Sequence, residues 1–281
     1  MSLLDGARIG LLEARLSSEL AELVRREGGE PVCAPAVREA PVNVAPLLPA
    51  LADDLRLRRL RIVVVLTGAG AASLLEQARE AGVYEPLVDA LRTATVVCRG
   101  PKPAAVLRKH GIPVHANARS PYTTAELLEV LPDALVSGQG VALLHDGGGN
   151  PVLVEALRAR GAWLNELQSY EWRLPDDIGP IDALISELID GRLDALAFTN
   201  QVQVRHLFEV AARTGRTAAL RYALAHRTAV ASIGPTCSRA LDEHGVPPRV
   251  VASPPKMKPL VSAIGEYLAA RRGHPTADST P

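Results

Sequence analysis

Short apolar runs alternate with amphipathic stretches along almost the whole chain. The runs Arg8–Leu12, Ile62–Leu66, Thr95–Cys98, Val141–Leu144, Ala195–Phe198 and Ala229–Ile233 are nearly unbroken in their apolarity. That fits strands covered on both faces better than strands with one wet side. Between them, apolar positions recur at three- and four-residue spacing with polar residues opposite. This periodicity predicts helices at about Ser17–Glu27, Ala71–Ala81, Lys102–Lys109, Thr124–Leu131, Pro151–Arg160, Ile181–Ile189, Gln203–Arg213, Cys237–Glu243 and Lys258–Arg271. Strands and helices in alternation predict an α/β protein with parallel sheets and helices on both faces.

The pattern is written twice, at an offset of about 133 residues. Arg8-Ile-Gly-Leu-Leu12 matches Gly140-Val-Ala-Leu-Leu144, and Arg61-Ile-Val-Val-Val-Leu-Thr67 matches Arg192-Leu-Asp-Ala-Leu-Ala-Phe-Thr199. Gly100-Pro-Lys-Pro103 matches Gly234-Pro-Thr-Cys237, and Ser120-Pro121 matches Ser253-Pro254. Two similar domains with a cleft between them are therefore expected. The segments Pro31–Val42 and Asn165–Pro175 break the rhythm, are extended and hold equivalent places in the two copies. Each reads as a strand leaving one domain for the other, which predicts a paired, two-stranded linker. Domain 1 would then comprise 1–34 and 174–273, domain 2 would comprise 38–168, and 274–281 would be a disordered tail. A contiguous split near residue 135 is the alternative that the residues leave open.

Composition narrows the function classes only a little. At 281 residues with 47% hydrophobic and 22% charged content, the chain can bury two cores. Lys+Arg and Asp+Glu balance at 31 each, so no global field draws nucleic acid or acidic lipid. Any anionic ligand must be held by local donors. Cys33, Cys98 and Cys237 are far apart, odd in number and in no metal-ligand spacing. No apolar run approaches a membrane span and no signal-peptide pattern opens the chain, so a cytoplasmic protein is expected. A monomer is expected too, because no oligomer-forming stripe stands out.

Candidate chemistry gathers where strands run into helices. Gly100-Pro101-Lys102 and Gly234-Pro235-Thr236-Cys237 each follow a buried strand and open a helix, whose free N–H groups and dipole suit a carboxylate or phosphate. Thr236 reads as a helix cap, whereas Lys102-Pro103 supplies charge and a fixed first turn. The competing explanation is a turn that needs Gly for its backbone angles. Thr67-Gly68-Ala69 and Thr199-Asn200-Gln201 end strands in the same way, and in doubly wound sheets ligands lie at such carboxyl ends. Arg99 adds a cation beside the first of the Gly-Pro turns. Gly68-Ala-Gly-Ala-Ala-Ser73 lacks the third glycine and the acidic ribose ligand of a dinucleotide site. His145-Asp146-Gly147-Gly148-Gly149-Asn150 presents several N–H groups before a helix, with His145 at its start, and it equally suits a plain flexible loop. His110 and His244 close equivalent helices and are assigned to structure. Tyr170 and Trp172 fall on one face of an extended strand, where they either pack the linker or place a phenol that donates a proton to a leaving group. No catalytic triad or acid–base carboxylate pair is legible.

Ser232-Ile-Gly-Pro-Thr-Cys-Ser-Arg-Ala-Leu241, the following His-Gly, Ala252-Ser-Pro254 and Leu260-Val-Ser-Ala-Ile264 resemble the C-terminal signature of the uroporphyrinogen-III synthase family. The Tyr of Leu167-Gln-Ser-Tyr170 and the element Thr124-Ala-Glu-Leu-Leu128 extend the likeness over nearly the whole chain. The resemblance implies two flavodoxin-like α/β domains joined by a two-stranded linker, and no cofactor or metal. It implies conversion of hydroxymethylbilane to uroporphyrinogen III, with loss of the hydroxyl as water, an azafulvene, a spiro intermediate and inversion of ring D. By position, Tyr170 matches the tyrosine proposed to help the hydroxyl leave. The turns at Thr67–Ala69, Thr199–Gln201, Gly100–Lys102 and Gly234–Cys237 match those that bind the eight substrate carboxylates. Hand-over from hydroxymethylbilane synthase follows as an expected partnership, with no membrane or nucleic acid bound by this chain. The chain departs from many members at Pro103, Gly68 and Asn200, and its Gly-Pro-Lys-Pro turn resembles that of synthase-like domains fused to a DNA-binding regulator. A non-catalytic domain that senses a tetrapyrrole or other polyanion is therefore the alternative. A two-lobed small-molecule binder is a third.

Overall fold

The computed structural model describes residues 2–273, and the expected disordered tail at 274–281 lies outside the described residues. The chain divides into two compact units: the described parts of Met1–Arg38 and Arg173–Pro281, and Glu39–Trp172. Among the described residues the strands are β1 Arg8–Leu11, β2 Glu30–Cys33, β3 Arg38–Pro41, β4 Ile62–Val65, β5 Thr95–Cys98, β6 Ala116–Asn117, β7 Gly140–Leu144, β8 Trp163–Leu167, β9 Tyr170–Arg173, β10 Ala195–Phe198, β11 Ala229–Ser232 and β12 Val250–Val251.

The first unit holds a five-stranded sheet of order β12-β11-β10-β1-β2, and the second a five-stranded sheet of order β6-β5-β4-β7-β8. Every pairing in both sheets is parallel. Matching β1 to β7, β2 to β8, β10 to β4, β11 to β5 and β12 to β6 superposes the two orders. The first sheet has the 2-1-3-4-5 order of a flavodoxin-like sheet; the second, counted along its own stretch of chain, is 3-2-1-4-5, a circular permutation of that order, and the order reverses between β1 and β10 in one and between β7 and β4 in the other. β3 and β9 pair separately as a two-stranded sheet, and the boundaries between the units fall inside these two strands.

Strand alternation builds a core on each face of each sheet. In the second unit Val63, Val65, Val96 and Leu144 face one cluster, while Ile62, Val64, Val97 and Leu143 face the other. In the first unit Leu196, Phe198 and Val230 face one side. Ala195, Ala197, Ala229 and Ala231 face the other, where their small side chains let the helices Ser17–Arg26 and Met257–Gly273 lie close.

Two expectations need correction. The segments Pro31–Val42 and Asn165–Pro175 are not single crossing strands. Each begins in the edge strand of its own sheet, β2 or β8, and then turns into the separate pair β3–β9. Pro31 is tolerated in β2 because an edge strand leaves one side of its ladder unpaired. The helices Leu48–Arg56, Tyr84–Thr93 and Thr217–His226 were not foreseen. Each is short and buries three or four apolar residues beside Pro, Gly or charged pairs that mask its period.

Candidate functional site

In the second unit the residues that follow β4, β5, β7 and β8 meet at the carboxyl end of the sheet. Thr67 follows β4 and caps the helix Gly68–Glu80, its hydroxyl accepting from the Gly70 N–H at 3.0 Å. The same hydroxyl lies 3.1 Å from the phenol of Tyr170. Tyr170 is buried, at 2% exposure, and meets Trp172 edge to face at 5.3 Å. Burial raises its pKa above the ordinary value, against the opposing effects of the Thr67 hydroxyl and a hydrogen bond from the Gly147 backbone; Asp146 and Glu39 push it further up. The phenol therefore stays protonated through the neutral range.

Gly147 lies against both rings. A methyl group built on it would come within 2.7 Å of Trp172 Cδ1 and 2.8 Å of Tyr170 Cε2, and its carbonyl accepts from the Trp172 N–H at 3.0 Å. The glycine loop is thus a close-packed bed for the two aromatics. As an anion cradle it is partly self-satisfied: Asp146 Oδ1 accepts from the Gly148 N–H at 3.3 Å, and the Asp146 carbonyl accepts from the Gly149 N–H at 3.2 Å. Arg99 donates to Asp146 Oδ2 at 2.9 Å, in a pair that is three-quarters buried or more. His145 turns away, its Nε2 lying 2.8 Å from Glu166, which also pairs with Arg158. A groove of about 430 Å³ lies there, lined by His145, Asn150, Arg158 and Glu166 among others, and Tyr170 is not part of it.

The glycines of the two Gly-Pro turns are extended, at φ 178° for Gly100 and 168° for Gly234, so backbone angles do not require glycine at either. Close approach sets both apart: a methyl group on Gly100 would come within 3.2 Å of the Tyr122 ring, and one on Gly234 within 3.2 Å of Pro255, so the covering ring would have to give by a few tenths of an ångström. Neither helix has a side-chain cap, and each carries Pro at its first turn. Thr236 is not the cap, because Gly234 holds that position and Thr236 lies inside the first turn. Pro101 and Pro103 remove two donors from one helix start and leave the Lys102 N–H and ammonium. The other start keeps the Thr236 and Cys237 N–H groups. The Cys237 side chain is core-facing, with its thiol on the Phe198 carbonyl at 3.8 Å. Gly68 adjoins the Lys102 backbone, so the turns after β4 and β5 abut.

In the first unit the residues after β1 and β10 meet. Thr199 donates to the Glu13 carboxylate, and Gln203 bonds to Thr199 and Glu13 at 2.8 and 3.4 Å. Asn200 caps the helix Gln201–Arg213 in a capping box with Gln203. Sequence reasoning missed Glu13, Asp146 and Glu166 as partners of the expected site residues. The repeat held a usable signal for the first two, since both lie directly beyond matched strands. Among the described residues no group of three or more His, Cys, Asp or Glu side chains is suited to a metal ion, and no helix is long and apolar enough to cross a membrane.

The family model for uroporphyrinogen-III synthase HemD matches residues 18–262. This chain belongs to the uroporphyrinogen-III synthase family. It is 32% identical over 233 residues to a Methanothermobacter thermautotrophicus protein named “Putative uroporphyrinogen-III synthase”, covering 82% of this chain and 86% of the relative. It is 27% identical over 265 residues to “Uncharacterized protein YjjA” of Bacillus subtilis, covering 93% and 96%. A mutant uroporphyrinogen III synthase from Thermus thermophilus matches in structure with TM-score 0.70 at 28% identity, covering 96% of this chain and 100% of that one. Within this uroporphyrinogen-III synthase fold, Thr67 and Tyr170 stand at the point where the strand order reverses in the second unit. Thr199 and Glu13 stand at the corresponding point in the first.

Proposed function

We propose that this chain acts as a uroporphyrinogen-III synthase, cyclising hydroxymethylbilane with inversion of ring D and loss of one water. The observation that carries the reading is the buried Tyr170 phenol, held by the Thr67 hydroxyl at 3.1 Å where the sheet order reverses. When the Thr67 hydroxyl and the Gly147 N–H both donate to the phenol oxygen, its own proton is left free for a ligand. In the proposed reaction that proton goes to the departing hydroxyl, which leaves as water and gives the protonated azafulvene, and the proton released when the macrocycle closes restores the phenol. The substituted carbon of ring D then attacks to form the spiro intermediate, which opens and recloses with ring D inverted.

The substrate carboxylates are assigned to the turns at Thr67–Ala69, Gly100–Lys102, Thr199–Gln201 and Gly234–Cys237. The backbone donors of Thr236 and Cys237 and the ammonium of Lys102 are the strongest candidates. Arg99 is satisfied by Asp146, so its part is to fix the 146–149 loop beneath Tyr170. Such a mechanism asks mainly for positioning of a flexible bilane, which accounts for the sparse acid–base machinery. The test is to supply hydroxymethylbilane, oxidise the products and resolve the isomers. Type III product supports the synthase; type I alone, at the spontaneous rate, would leave a tetrapyrrole-sensing domain as the better reading.

A further inference from the structure

Tyr122 lies outside the machinery described above, in the loop between β6 and the helix Thr124–Glu129. Its backbone is left-handed, at φ 63°, a conformation that side chains other than those of Gly, Asn and Asp rarely adopt. Burial does not compensate for this, because the side chain is 44% exposed. Its N–H donates to the Arg119 carbonyl at 2.8 Å, and its phenol has no hydrogen bond among the described residues. One side of the ring covers Gly100, within 3.2 Å of where a methyl group would stand.

The other repeat supplies an internal control. There Pro255 covers Gly234 at the same 3.2 Å, from the residue that follows the matching Ser-Pro pair. Covering the turn therefore needs only a small saturated ring. An aromatic held in an unfavourable backbone conformation, 44% exposed while it lies against the Gly100–Lys102 turn, has surplus capacity. We propose that Tyr122 contacts the substrate, its exposed ring face stacking on a pyrrole ring of the bound tetrapyrrole. This rests on the synthase reading given above. Stacking of flat heterocycles on tyrosine is tolerant of substituents and rewards an exposed, pre-oriented ring.

The test uses the full chain, with uroporphyrin III as a stable fluorescent probe and hydroxymethylbilane turnover as the second readout. Tyr122→Phe is expected to bind and turn over within about twofold of the parent, because the ring remains. Tyr122→Gly is expected to weaken probe binding and raise KM about tenfold, with kcat within about threefold. Its melting temperature should not fall, since glycine accepts this backbone at no steric cost. Tyr122→Asn, which also tolerates the left-handed region, should reproduce the loss. Unchanged affinity and KM in the Gly and Asn variants would overturn the proposal, as would a loss in Phe equal to that in Gly. If the parent protein makes no type III product, the synthase reading fails. If the parent makes it and the Tyr122 variants match it, only the Tyr122 assignment fails.

Discussion

Gly147→Ala is the sharpest probe of how the Tyr170 phenol is held. Gly147 does not have a left-handed φ, so alanine meets no backbone objection there. Its methyl group would, however, stand 2.7 Å from Trp172 Cδ1, 2.8 Å from Trp172 Nε1 and 2.8 Å from Tyr170 Cε2. Carbon atoms in ordinary contact stay about 3.5–4.0 Å apart, so the two rings must retreat by roughly 0.7 Å or more. Tyr170 is buried at 2% exposure and has little room to move. Overpacking of this size costs about 1–3 kcal/mol. The larger effect is on geometry: a shift approaching 1 Å lengthens the 3.1 Å Thr67–Tyr170 contact and carries the phenol off its target. Misplacement on that scale can lower turnover about 10²-fold. Calorimetry and initial rates of type III formation report the two effects separately, and the expectation is a folded protein with kcat down about 10- to 100-fold. Trp172→Ala in the same chain opens space for the methyl group, so the double variant should recover part of the lost stability. A folded Gly147→Ala protein with parental kcat would refute the claim that the glycine loop sets the phenol.

Tyr170→Phe should lower kcat at least about tenfold while binding uroporphyrin III within about twofold, and equal turnover would take Tyr170 off the reactive list. Because burial raises this phenol above its ordinary value, the rate it carries should persist to about pH 10, and an alkaline loss centred near pH 8 that disappears in Tyr170→Phe would contradict the assignment. Burial pushes Cys98 up to about 12 and Cys237 up to about 11, whereas Cys33 is exposed, so a thiol reagent should find one fast site per folded chain and the others only on unfolding. Three fast thiols would show that the cores open readily. His206 is buried with Nδ1 2.7 Å from the Ala36 carbonyl, and desolvation lowers its pKa below the ordinary 6.5. Its contribution to stability is therefore complete above about pH 6.5 and lost as pH falls through the lower folded value. His206→Gln should flatten the fall in melting temperature below that pH, and an identical pH profile would exclude this role.

The strands β4, β5, β7, β10 and β11 were legible because they lie inside parallel sheets, where both faces are covered and nearly every residue is apolar. The edge strands were not. β8 carries Asn165 and Glu166, and β2 begins Glu30-Pro31, because an edge tolerates polar residues and proline. Both therefore merged with the extended segments that follow them. The duplication pointed to turns at matched strand ends, and each of these opens onto a helix. It did not reveal that Thr67 and Tyr170 touch, because 103 residues separate them and only the β4-β7-β8 order of the sheet brings them together. Nor could spacing show that Asp146 already holds Arg99, or that Tyr122 and Pro255 lie over Gly100 and Gly234.

Whether this chain directs ring closure of hydroxymethylbilane is decided by the initial rate of type III isomer formation at several protein concentrations, with the spontaneous type I product resolved in the same samples. The expected result is a type III rate proportional to the concentration of this protein, with type I suppressed as type III rises. A product that remains type I, formed at a rate independent of the protein, would contradict it.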